Sequence, residues 1–287
     1  MTEKRERDTQ ASYGRACTLY PRSVELLEQL DVADDIIQAS FIARSSVTFK
    51  GGKRVTERGW NSIFDNMLNT FHDYTLNIRQ RHSEDILLQN YSKASDNTVN
   101  YGWKLVDFKI DRAQQDGHNI TAVVRRSGCG GQKTIRWYEY AMSLRFHMLT
   151  SLSKYLVGAD GGQSYVRERS QIAMEGDRTT YKWIRIDGNM ETDMPDANIG
   201  YAAIETPNHG NVLWVKLNKD AHRIGFALTP RLRAKYADGI TQDQAIEEAV
   251  EAMKPFSLKI KRLDWWTNYR FVEIANWEKP QAVAHLH

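Results

Sequence analysis

The sequence YLVGADGGQSYVRE, residues 155–168, together with EGDR at 175–178, decides how the rest of the chain is interpreted. It begins with the strand-type residues YLV and continues through the compact run GADGG. Ser164 is a good helix N-cap, so a short helix is predicted to begin near Val166. A strand, a glycine turn and a helix start allow the backbone to approach a ligand closely, and the amides there favour anions such as phosphate. Asp160, in the same turn, is predicted to accept hydrogen bonds from ribose hydroxyls or to orient an arginine.

This stretch resembles the second FAD-contact motif of the class A flavoprotein monooxygenases, the aromatic hydroxylases of the phenol 2-monooxygenase and para-hydroxybenzoate hydroxylase type. In that family the Asp-Gly pair of the motif lies near both FAD and the nicotinamide cofactor. The resemblance therefore implies cofactor-binding roles for Asp160, Gly161 and Arg167. The run GADGG alone would indicate only an ordinary strand-to-helix turn.

Composition sets the outer limits. A chain of 287 residues with 41% hydrophobic and 26% charged residues is typical of one large or two modest globular domains. A formal net charge of +3 is too small to indicate nucleic acid or an anionic membrane as a partner. No apolar run is long enough to span a bilayer. The two cysteines, Cys17 and Cys129, lack metal-ligand spacing, so we expect no metal site and a reducing, cytoplasmic location.

The resemblance extends to the start of the chain, through GRA at 14–16 and PRS at 21–23. Pro21 suits the first turn of a helix that continues to residue 30. By resemblance, Glu3 is the acid that holds the adenosine ribose of FAD, and Arg15 lies near the flavin or its pyrophosphate. The alternative for Glu3 is a solvated residue in a charged terminus.

The next segment predicts a hairpin at 46–56, with its turn at the two glycines of GGK, and a strand at 75–80 followed by a helix. One helical turn brings Glu84 back toward Gln80. The family's glutamine at this place contacts FAD, so the resemblance implies that role for Gln80. Between these elements, a loop or partial helix at 61–74 is expected to pack through apolar residues, namely Trp60, Phe64, Met67, Leu68 and Phe71.

Residues 99–124 predict β structure with a turn at 114–117, and a third strand is expected at 134–138. The residues that follow, 141–153, fit neither a strand nor a helix pattern. We interpret 141–153 as an insertion foreign to the family pattern.

The second half of the chain predicts an antiparallel sheet with strands at 181–186, 198–205, 210–217 and 222–228. The strongest helix pattern covers 241–253, where Thr241 and Gln244 form a capping box. Its apolar stripe, Ile246, Val250 and Met253, is expected to pack against the sheet.

This half resembles the substrate-binding sheet of the phenol 2-monooxygenase branch, through NVLWV, RIGF and LDWWTNY. The resemblance implies an apolar wall for an aromatic substrate, with Trp214, Trp265 and Tyr269 as candidates. Core packing of the sheet is the alternative for each of the three.

The predicted fold class is α/β (α+β): an incomplete Rossmann-like FAD-binding domain at 1–178, an antiparallel substrate-domain sheet with helices at 179–270, and a divergent tail at 271–287. The family's leading Gly-x-Gly-x-x-Gly unit is expected before Glu3, and its Gly-Asp motif after Tyr269. Neither is found in this sequence. We therefore expect weak or no FAD binding by this polypeptide alone.

The resemblance implies an FAD-dependent monooxygenase that hydroxylates a phenolic or other aromatic substrate with NAD(P)H and O2. Two alternatives stay open: a catalytically inactive fragment or interaction protein of the same family, and a flavin oxidoreductase that is not an oxygenase. The sequence does not identify the substrate, choose between NADH and NADPH, or decide whether the chain forms a homodimer.

Overall fold

The computed structural model of the chain describes residues 2–3, 14–56, 61–95, 98–111, 119–126, 148–153 and 155–276. The strands in chain order are β1 (Thr2–Glu3), β2 (Thr18–Leu19), β3 (Phe41–Ala43), β4 (Ser45–Lys50), β5 (Lys53–Val55), β6 (Thr75–Asn77), β7 (Asn100–Tyr101), β8 (Trp103–Ile110), β9 (Ile120–Arg126), β10 (Met148–Ser153), β11 (Glu175–Thr192), β12 (Gly200–Thr206), β13 (Gly210–Lys216), β14 (Ala221–Ala227) and β15 (Leu258–Asn276). The helices are α1 (Pro21–Glu28), α2 (Ala33–Ala39), α3 (Asn61–Met67), α4 (Gln80–Ala94), α5 (Tyr165–Arg169), α6 (Pro230–Lys235) and α7 (Gln242–Met253). Within these ranges, no helix combines the length and the apolar character that crossing a membrane requires.

The chain forms two compact units. The first comprises Met1–Ala11, Ala94–Gly176 and Ile274–His287, and the second comprises Ser12–Lys93 and Asp177–Glu273. The sequence grouped everything before residue 179 into one domain, whereas the structure groups 12–93 with the later sheet. The physical reason is a long-range pairing, because β4 lies parallel to β12 with Ser45 opposite Gly200.

In the first unit, β8, β9 and β10 form a sheet in the order β10-β9-β8 with antiparallel neighbours. Ile120, Ala122 and Val124 alternate along β9 and are buried, as expected for a sheet with one covered face. The β structure predicted for 99–124 is thus present in the described part of that range. The predicted turn at 114–117 lies outside the described residues.

The third strand, β10, lies in the segment 141–153, whose pattern predicts neither strand nor helix. It pairs antiparallel with β9, with Leu149 opposite Val124. Its sequence MLTSLS lacks alternation, so backbone pairing to an existing strand determines its conformation rather than side-chain pattern. The third strand predicted at 134–138 lies outside the described residues, and the interpretation of 141–153 as an insertion stays a prediction.

The strand predicted just before the glycine turn is not formed. YLV at 155–157 was expected to be a strand, but 155–160 have no regular structure, and Tyr155 and Val157 are 81% and 86% exposed. Strand-type side chains form a strand only when a neighbouring backbone pairs with them, and no described strand does so here. The helix start is confirmed, because Ser164 caps α5 and accepts a hydrogen bond from the backbone amide of Arg167.

The second unit contains a seven-stranded sheet in the order β15-β11-β14-β13-β12-β4-β5. The strands predicted between 181 and 228 are confirmed as parts of β11 to β14, which pair with one another in antiparallel fashion. The hairpin of β4 and β5 is also confirmed, and its turn places Gly51 and Gly52 at φ of +55° and +78°. The mixed α/β class is therefore as predicted.

Helix α7 covers one face of this sheet. Its capping box is present as predicted: the Thr241 hydroxyl accepts from the Gln244 amide, and the Gln244 side chain accepts from the Thr241 amide. The fully buried side of the helix is formed by Ala245, Ala249, Ala252 and Met253, whereas Ile246 and Val250 are partly buried at its flank. The predicted stripe therefore packs on the core, but small alanines bring the helix axis close to the sheet.

A second, smaller core lies on the opposite face of the sheet. Cys17, Ala43, Phe64 and Met67 pack there with sheet residues such as Tyr201. The packing predicted for Phe64 and Met67 is confirmed. Leu68 and Phe71 were also expected to pack but are 67% and 85% exposed.

The end of α3 explains why Leu68 and Phe71 are exposed. The helix ends at Met67, and the Thr70 amide donates to the Met67 carbonyl in a tight turn, so the residues after Met67 leave the helix's buried face. Trp60 lies outside the described residues.

Strands β2, β6 and β3 form a small sheet in the order β2-β6-β3. Helices α1 and α2 pack on it through Val24, Ala33 and Ile36 around Leu76. Pro21 occupies the first turn of α1, as predicted. This sheet positions the segments just before β2 and just after β6, in which the sequence singled out Arg15 and Gln80.

Candidate functional site

The seven-stranded sheet has a face opposite α7. Along β11, Ile184 and Ile186 pack into the α7 core, so the alternate residues lie on the other side. We call this other side of β11–β14 the open face, and it comprises Trp183, Arg185, Asp187, Tyr201, Ala203, Leu213, Val215, Arg223 and Gly225. The alternation in KWIRIDG, residues 182–188, is the sequence signal for this face, and the sequence prediction did not include it.

Strand register arranges the open face in rows of residues that lie opposite one another. One row is Tyr201, Val215, Arg223 and Asp187, and the next is Ala203, Leu213, Gly225 and Arg185. In the first row an arginine faces an acid. In the second row an arginine faces a glycine, which has no side chain.

The arginine of the first row forms a buried ion pair. Arg223 donates from Nε to Oδ1 of Asp187 at 2.6 Å and from Nη2 to Oδ2 at 2.7 Å. Both side chains are almost completely buried. Burial alone would lower the pKa of Arg223, but the hydrogen bonds to Asp187 raise it above its ordinary value. Arg223 is therefore charged at any physiological pH.

Arg223 also positions Arg15. Its Nη1 donates to the Arg15 carbonyl at 2.7 Å. Gly14 and Arg15 both have positive φ, +100° and +62°, and a non-glycine residue in this region is strained. The Trp265 ring lies against Gly14 so closely that a Cβ there would overlap it. The buried arginine and the tryptophan thus hold a corner of backbone from which the Arg15 side chain extends into solvent.

Tyr201 connects the open face to the small sheet. Its hydroxyl donates to Oδ1 of Asn77 at 2.5 Å and lies 3.1 Å and 3.0 Å from the hydroxyls of Thr18 and Thr75. Burial raises the pKa of Tyr201 to about 12, so it stays a neutral donor. The network fixes β2 and β6, and hence the chain directions at Arg15 and Gln80.

Gln80 is the first residue of α4. Its Nε2 donates to Oε1 of Glu84 at 2.7 Å, which confirms the predicted contact one turn apart. The preceding residue, Arg79, is buried and donates to Oδ2 of Asp264 at 2.8 Å and from Nε to Oδ1 of Asn218 at 3.2 Å. The buried Arg79 before it and the Glu84 contact after it therefore orient the Gln80 side chain, and its side-chain oxygen Oε1 is the atom that could accept from a ligand.

In the first unit, Asp160 caps its own loop. Its carboxylate accepts from the Ser164 hydroxyl at 2.5 Å and from the amides of Tyr165 and Val166 at 2.6 Å and 3.2 Å. Burial acts to raise the pKa of Asp160, but these hydrogen bonds lower it below its ordinary value. The carboxylate thus first serves to shape the turn, a role that the sequence prediction did not assign.

The glycines of the same loop differ in their surroundings. A Cβ at Gly158 would overlap Val166, so packing requires glycine there. A Cβ at Gly161 or Gly162 would meet no described atom within 4 Å, and Gly161 has φ of +85°. Arg167 donates from Nη2 to the Gly162 carbonyl at 2.9 Å, which holds this open part of the loop.

Glu3 lies in β1, which pairs in parallel with β7 so that Glu3 is opposite Tyr101. The backbone of this residue is therefore at the end of a paired strand. Its role as the ribose acid stays a prediction.

A cavity of about 180 Å³ lies at the second row of the open face. It is lined by Trp183, Arg185, Ala203, Asn211, Val212, Leu213 and Tyr269. The guanidinium carbon of Arg185 lies 4.7 Å from the centre of the Tyr269 ring, within the range of a cation–π contact. Of these residues, the sequence had singled out only Tyr269.

The three predicted wall residues occupy different places. Tyr269 lines the cavity, and Trp265 covers the Gly14 corner. Trp214 is 1% exposed in the α7 core and donates from its indole nitrogen to the Ala197 carbonyl at 2.8 Å. Trp214 therefore has no surface to offer a ligand, because its position in β13 points it to the α7 side of the sheet.

These features define a class of protein: a mixed α/β protein of the aromatic hydroxylase type, in which one face of a sheet carries a buried ion pair that holds the backbone of Arg15, a candidate cofactor contact. The chain belongs to the FAD binding domain family, whose model matches residues 1–273. Among the described residues, no group of three or more His, Cys, Asp or Glu side chains is placed to hold a metal ion.

The chain is similar to 3-hydroxybenzoate 4-monooxygenase of Comamonas testosteroni, with 26% identity over 276 residues that cover 89% of this chain and 38% of that protein. Its fold is similar to p-nitrophenol 4-monooxygenase PnpA of Pseudomonas putida DLL-E4, with a TM-score of 0.66, 14% identity, and coverage of 94% of this chain and 61% of that one. It is also similar to aklavinone-11 hydroxylase in complex with FAD and aklavinone, with a TM-score of 0.64, 20% identity, and coverage of 94% and 48%. The chain spans only 20 to 38% of the lengths of four curated relatives that it matches.

The residues present fit parts of FAD. An exposed arginine on a fixed backbone corner suits the pyrophosphate or the electron-rich edge of the flavin, because a guanidinium matches such acceptors. The open backbone at Gly161 and Gly162 leaves room for a ligand to approach without meeting described atoms.

Proposed function

We propose that this chain takes part in FAD-dependent hydroxylation of an aromatic substrate, with NAD(P)H as the electron donor and O2 as the oxygen source. The observation that carries the proposal is the Gly14–Arg15 corner. The protein holds a strained backbone there through a buried ion pair and presents one cation to solvent. Strain of this kind is typical of functional sites.

The candidate cofactor contacts have separate tasks. Arg15 would meet the flavin or its pyrophosphate, and the side-chain oxygen Oε1 of Gln80 would accept a hydrogen bond from the cofactor. Glu3 would hold the ribose, while Asp160 and Arg167 would keep the backbone at Gly161 open toward FAD and the nicotinamide. Bound FAD supplies the two-electron chemistry that activates O2.

The protein's own part is positioning and exclusion of water. One atom of O2 enters the ring, and the other leaves as water with the two electrons that NAD(P)H provides. Trp265 and Tyr269 would form an aromatic wall for the substrate on the open face, since substrate-binding sites are mostly apolar with a few polar groups. The reaction needs no protein nucleophile. A buried, free Cys17 agrees with a reducing location such as the cytoplasm.

The first test is a titration of the 287-residue chain with FAD, followed by flavin fluorescence so that weak binding is measurable. Arg15→Gln is expected to weaken FAD affinity about tenfold, because one charge-assisted contact is lost. Arg22→Gln is the matched control, since Arg22 is exposed nearby and pairs with Glu25 on α1. Equal FAD affinity of the two variants contradicts the proposed role of Arg15.

The second test is oxidation of NADH and NADPH in the presence of FAD and a phenolic compound such as 3-hydroxybenzoate. Hydroxylation is expected to add the mass of one oxygen to the compound. Oxidation of NAD(P)H without that product would instead favour a flavin oxidoreductase that is not an oxygenase. Light scattering on the same sample distinguishes a monomer from a homodimer.

A further inference from the structure

Large apolar side chains are exposed at the end of α1 and in the turn that follows α3. Helix α1 packs on the small sheet through Val24 and Leu27, whereas Leu30, in the turn after the helix, is 66% exposed. Phe71 is 85% exposed, and its ring centre lies 5.0 Å from that of His72. The packing of the second unit therefore leaves both side chains largely in contact with solvent.

His72 connects these two segments. Its Nε2 lies 3.1 Å from Oε1 of Glu28, the last residue of α1, and its Nδ1 lies 2.9 Å from the Tyr74 hydroxyl. Phe71 is therefore held beside the last turn of α1, two residues before Leu30. Singly exposed apolar residues are common, whereas an exposed group is typical of an interaction site. We call the exposed group the α1 patch, and it comprises Leu26, Leu30, Leu68 and Phe71.

The α1 patch lies in an acidic part of the chain. Residues 23–43, which include α1 and α2, contain five acids and no Lys, Arg or His. The nearby bases Arg22 and Arg44 pair with Glu25 and Asp73. The surface beside the patch therefore carries a negative charge. Its exposed acids in this run are Glu28, Asp31, Asp34 and Asp35.

We infer that the α1 patch docks a basic amphipathic helix of another polypeptide. The apolar side of that helix covers Leu30 and Phe71, and its Lys or Arg side chains lie toward the acids of residues 28–35. An amphipathic helix is the matching shape, because it presents a stripe of apolar residues with charges beside it. Complementary charge adds specificity and speeds association. The inference goes beyond the proposed function and does not depend on FAD.

Two other occupants match the surface less well. An anionic membrane would be repelled by the same acids that attract a basic helix. A second copy of the chain offers α6, a described helix with three cations, but the leucine of that helix, Leu232, is buried and unavailable for docking. The combination of apolar exposure and negative charge therefore favours a separate basic helix.

The test measures binding of labelled helical peptides to the full 287-residue chain by fluorescence anisotropy. The probe peptide consists of Leu and Lys at amphipathic helix spacing. One comparison peptide has Glu in place of every Lys, and another has Ser in place of every Leu. The Leu/Lys peptide is expected to bind at least about tenfold more tightly than either comparison peptide.

Two variants separate the apolar and the charged contributions. Phe71→Ser should weaken binding of the Leu/Lys peptide about tenfold, whereas Tyr181→Ser, at an exposed tyrosine of β11, should leave it unchanged. Asp31→Asn should weaken binding about threefold, because asparagine keeps the left-handed backbone at φ of +56° and removes only the charge. Asp238→Asn, at an exposed acid after α6, is the control for charge. Circular dichroism checks folding, and Leu30→Ser is the second variant at the patch.

Several results would overturn the inference. Equal binding of the Leu/Lys and Leu/Glu peptides would remove the role of charge. Leu/Lys binding that survives in both Phe71→Ser and Leu30→Ser would remove the role of the patch. Self-association in light scattering that Phe71→Ser abolishes, without peptide binding, would make a second copy the occupant. Binding to phosphatidylserine vesicles that depends on Phe71, without peptide binding, would make a membrane the occupant.

Discussion

At the scale of single residues, the two arginines of the open face differ in their partners. Arg223 and Arg185 lie in adjacent rows of the same face, and both come from strands of the same sheet. Arg223 has an acid opposite it and uses its remaining donor to hold the Arg15 carbonyl. Arg185 has a glycine opposite it. The first arginine therefore holds the Gly14–Arg15 corner, and the guanidinium of the second lies over the Tyr269 ring.

Gly14 provides the first prediction. Gly14→Ala places a Cβ into the Trp265 ring and adds the strain of a left-handed conformation. Together these effects should lower the free energy of unfolding by about 2–5 kcal/mol. The measurement is urea unfolding followed by tryptophan fluorescence and circular dichroism.

Gly210 supplies the control for this change. It has φ of +67°, but a Cβ there would meet nothing within 4 Å. Gly210→Ala should therefore cost only the backbone term, about 1 kcal/mol. If both variants lose the same stability, the close packing of Trp265 on Gly14 is not significant.

The sequence predicted the residue types of the site better than their tasks. Gln80 and Glu84 could be linked from spacing alone, because one helical turn fixes their distance. The cap formed by Asp160 was missed, because an acid that binds a ligand and an acid that caps a helix start give the same pattern in GADGG. Asp187 and Arg223 were missed because a buried ion pair between two strands leaves no periodic mark in either one.

At the scale of elements, a polar cluster attaches α7 to the sheet. Glu248 is buried on α7 and accepts from His209 at 2.8 Å on one oxygen. The other oxygen accepts from Lys235 and Tyr236, each at 2.6 Å. The cluster joins the β12–β13 turn, α6 and α7, so it holds the helix layer that supports the open face from behind.

The second prediction concerns pH. Burial acts to raise the pKa of Glu248, but the hydrogen bonds from Lys235, Tyr236 and His209 lower it to about 2 from an unfolded value of 4.5. Because the folded pKa is depressed, its stabilisation is present above about pH 4.5 and is lost as pH falls toward 2. Since Lys235 is largely exposed and its charge is screened, we expect the contribution to be about 1–2 kcal/mol.

Glu248→Gln should therefore be less stable than the wild-type chain at pH 7, and the difference should shrink between pH 5 and pH 3. Chemical denaturation at a series of pH values measures it. Glu247→Gln is the matched control, as the same change one position earlier on the exposed side of α7. A stability difference for Glu248→Gln that does not depend on pH in this window would contradict the assignment.

The elements most completely predicted from sequence are those with local signals. The capping box of α7, the glycine turn of the β4–β5 hairpin and the alternating strands of the second half all depend on residues within one or two turns of each other. The strand β10 and the exposed YLV segment were not predicted. Whether such a segment forms a strand depends on a partner distant in sequence, and its own side chains do not report that partner.

At the scale of the whole chain, the largest difference from the sequence prediction is the parallel pairing of β4 with β12. Four successive residues of β4, from Ser46 to Phe49, are buried, as is typical of a strand covered on both faces. The sequence SSVTFK does not predict this burial on both faces, because serine and threonine alternate with apolar residues in it. The pairing unites 12–93 with 177–273 in one unit and brings Arg15 and Gln80 to the sheet that carries the cavity.

The last prediction tests whether β4 shares the stability of the sheet that contains β12 and β13. If β4 is an integral strand of the sheet, its amides should exchange with deuterium only when β12 and β13 open, since cooperative units exchange together. Hydrogen exchange read by mass spectrometry on peptides from 45–50, 200–206 and 210–216 should therefore give similar protection. The edge strand β5, whose residues are largely exposed, is the internal control and should exchange faster. Exchange of 45–50 together with β5, while 200–216 stay protected, would show that the first residues of this unit are attached to the sheet without sharing its stability, and that Arg15 and Gln80 are held less firmly than the cavity.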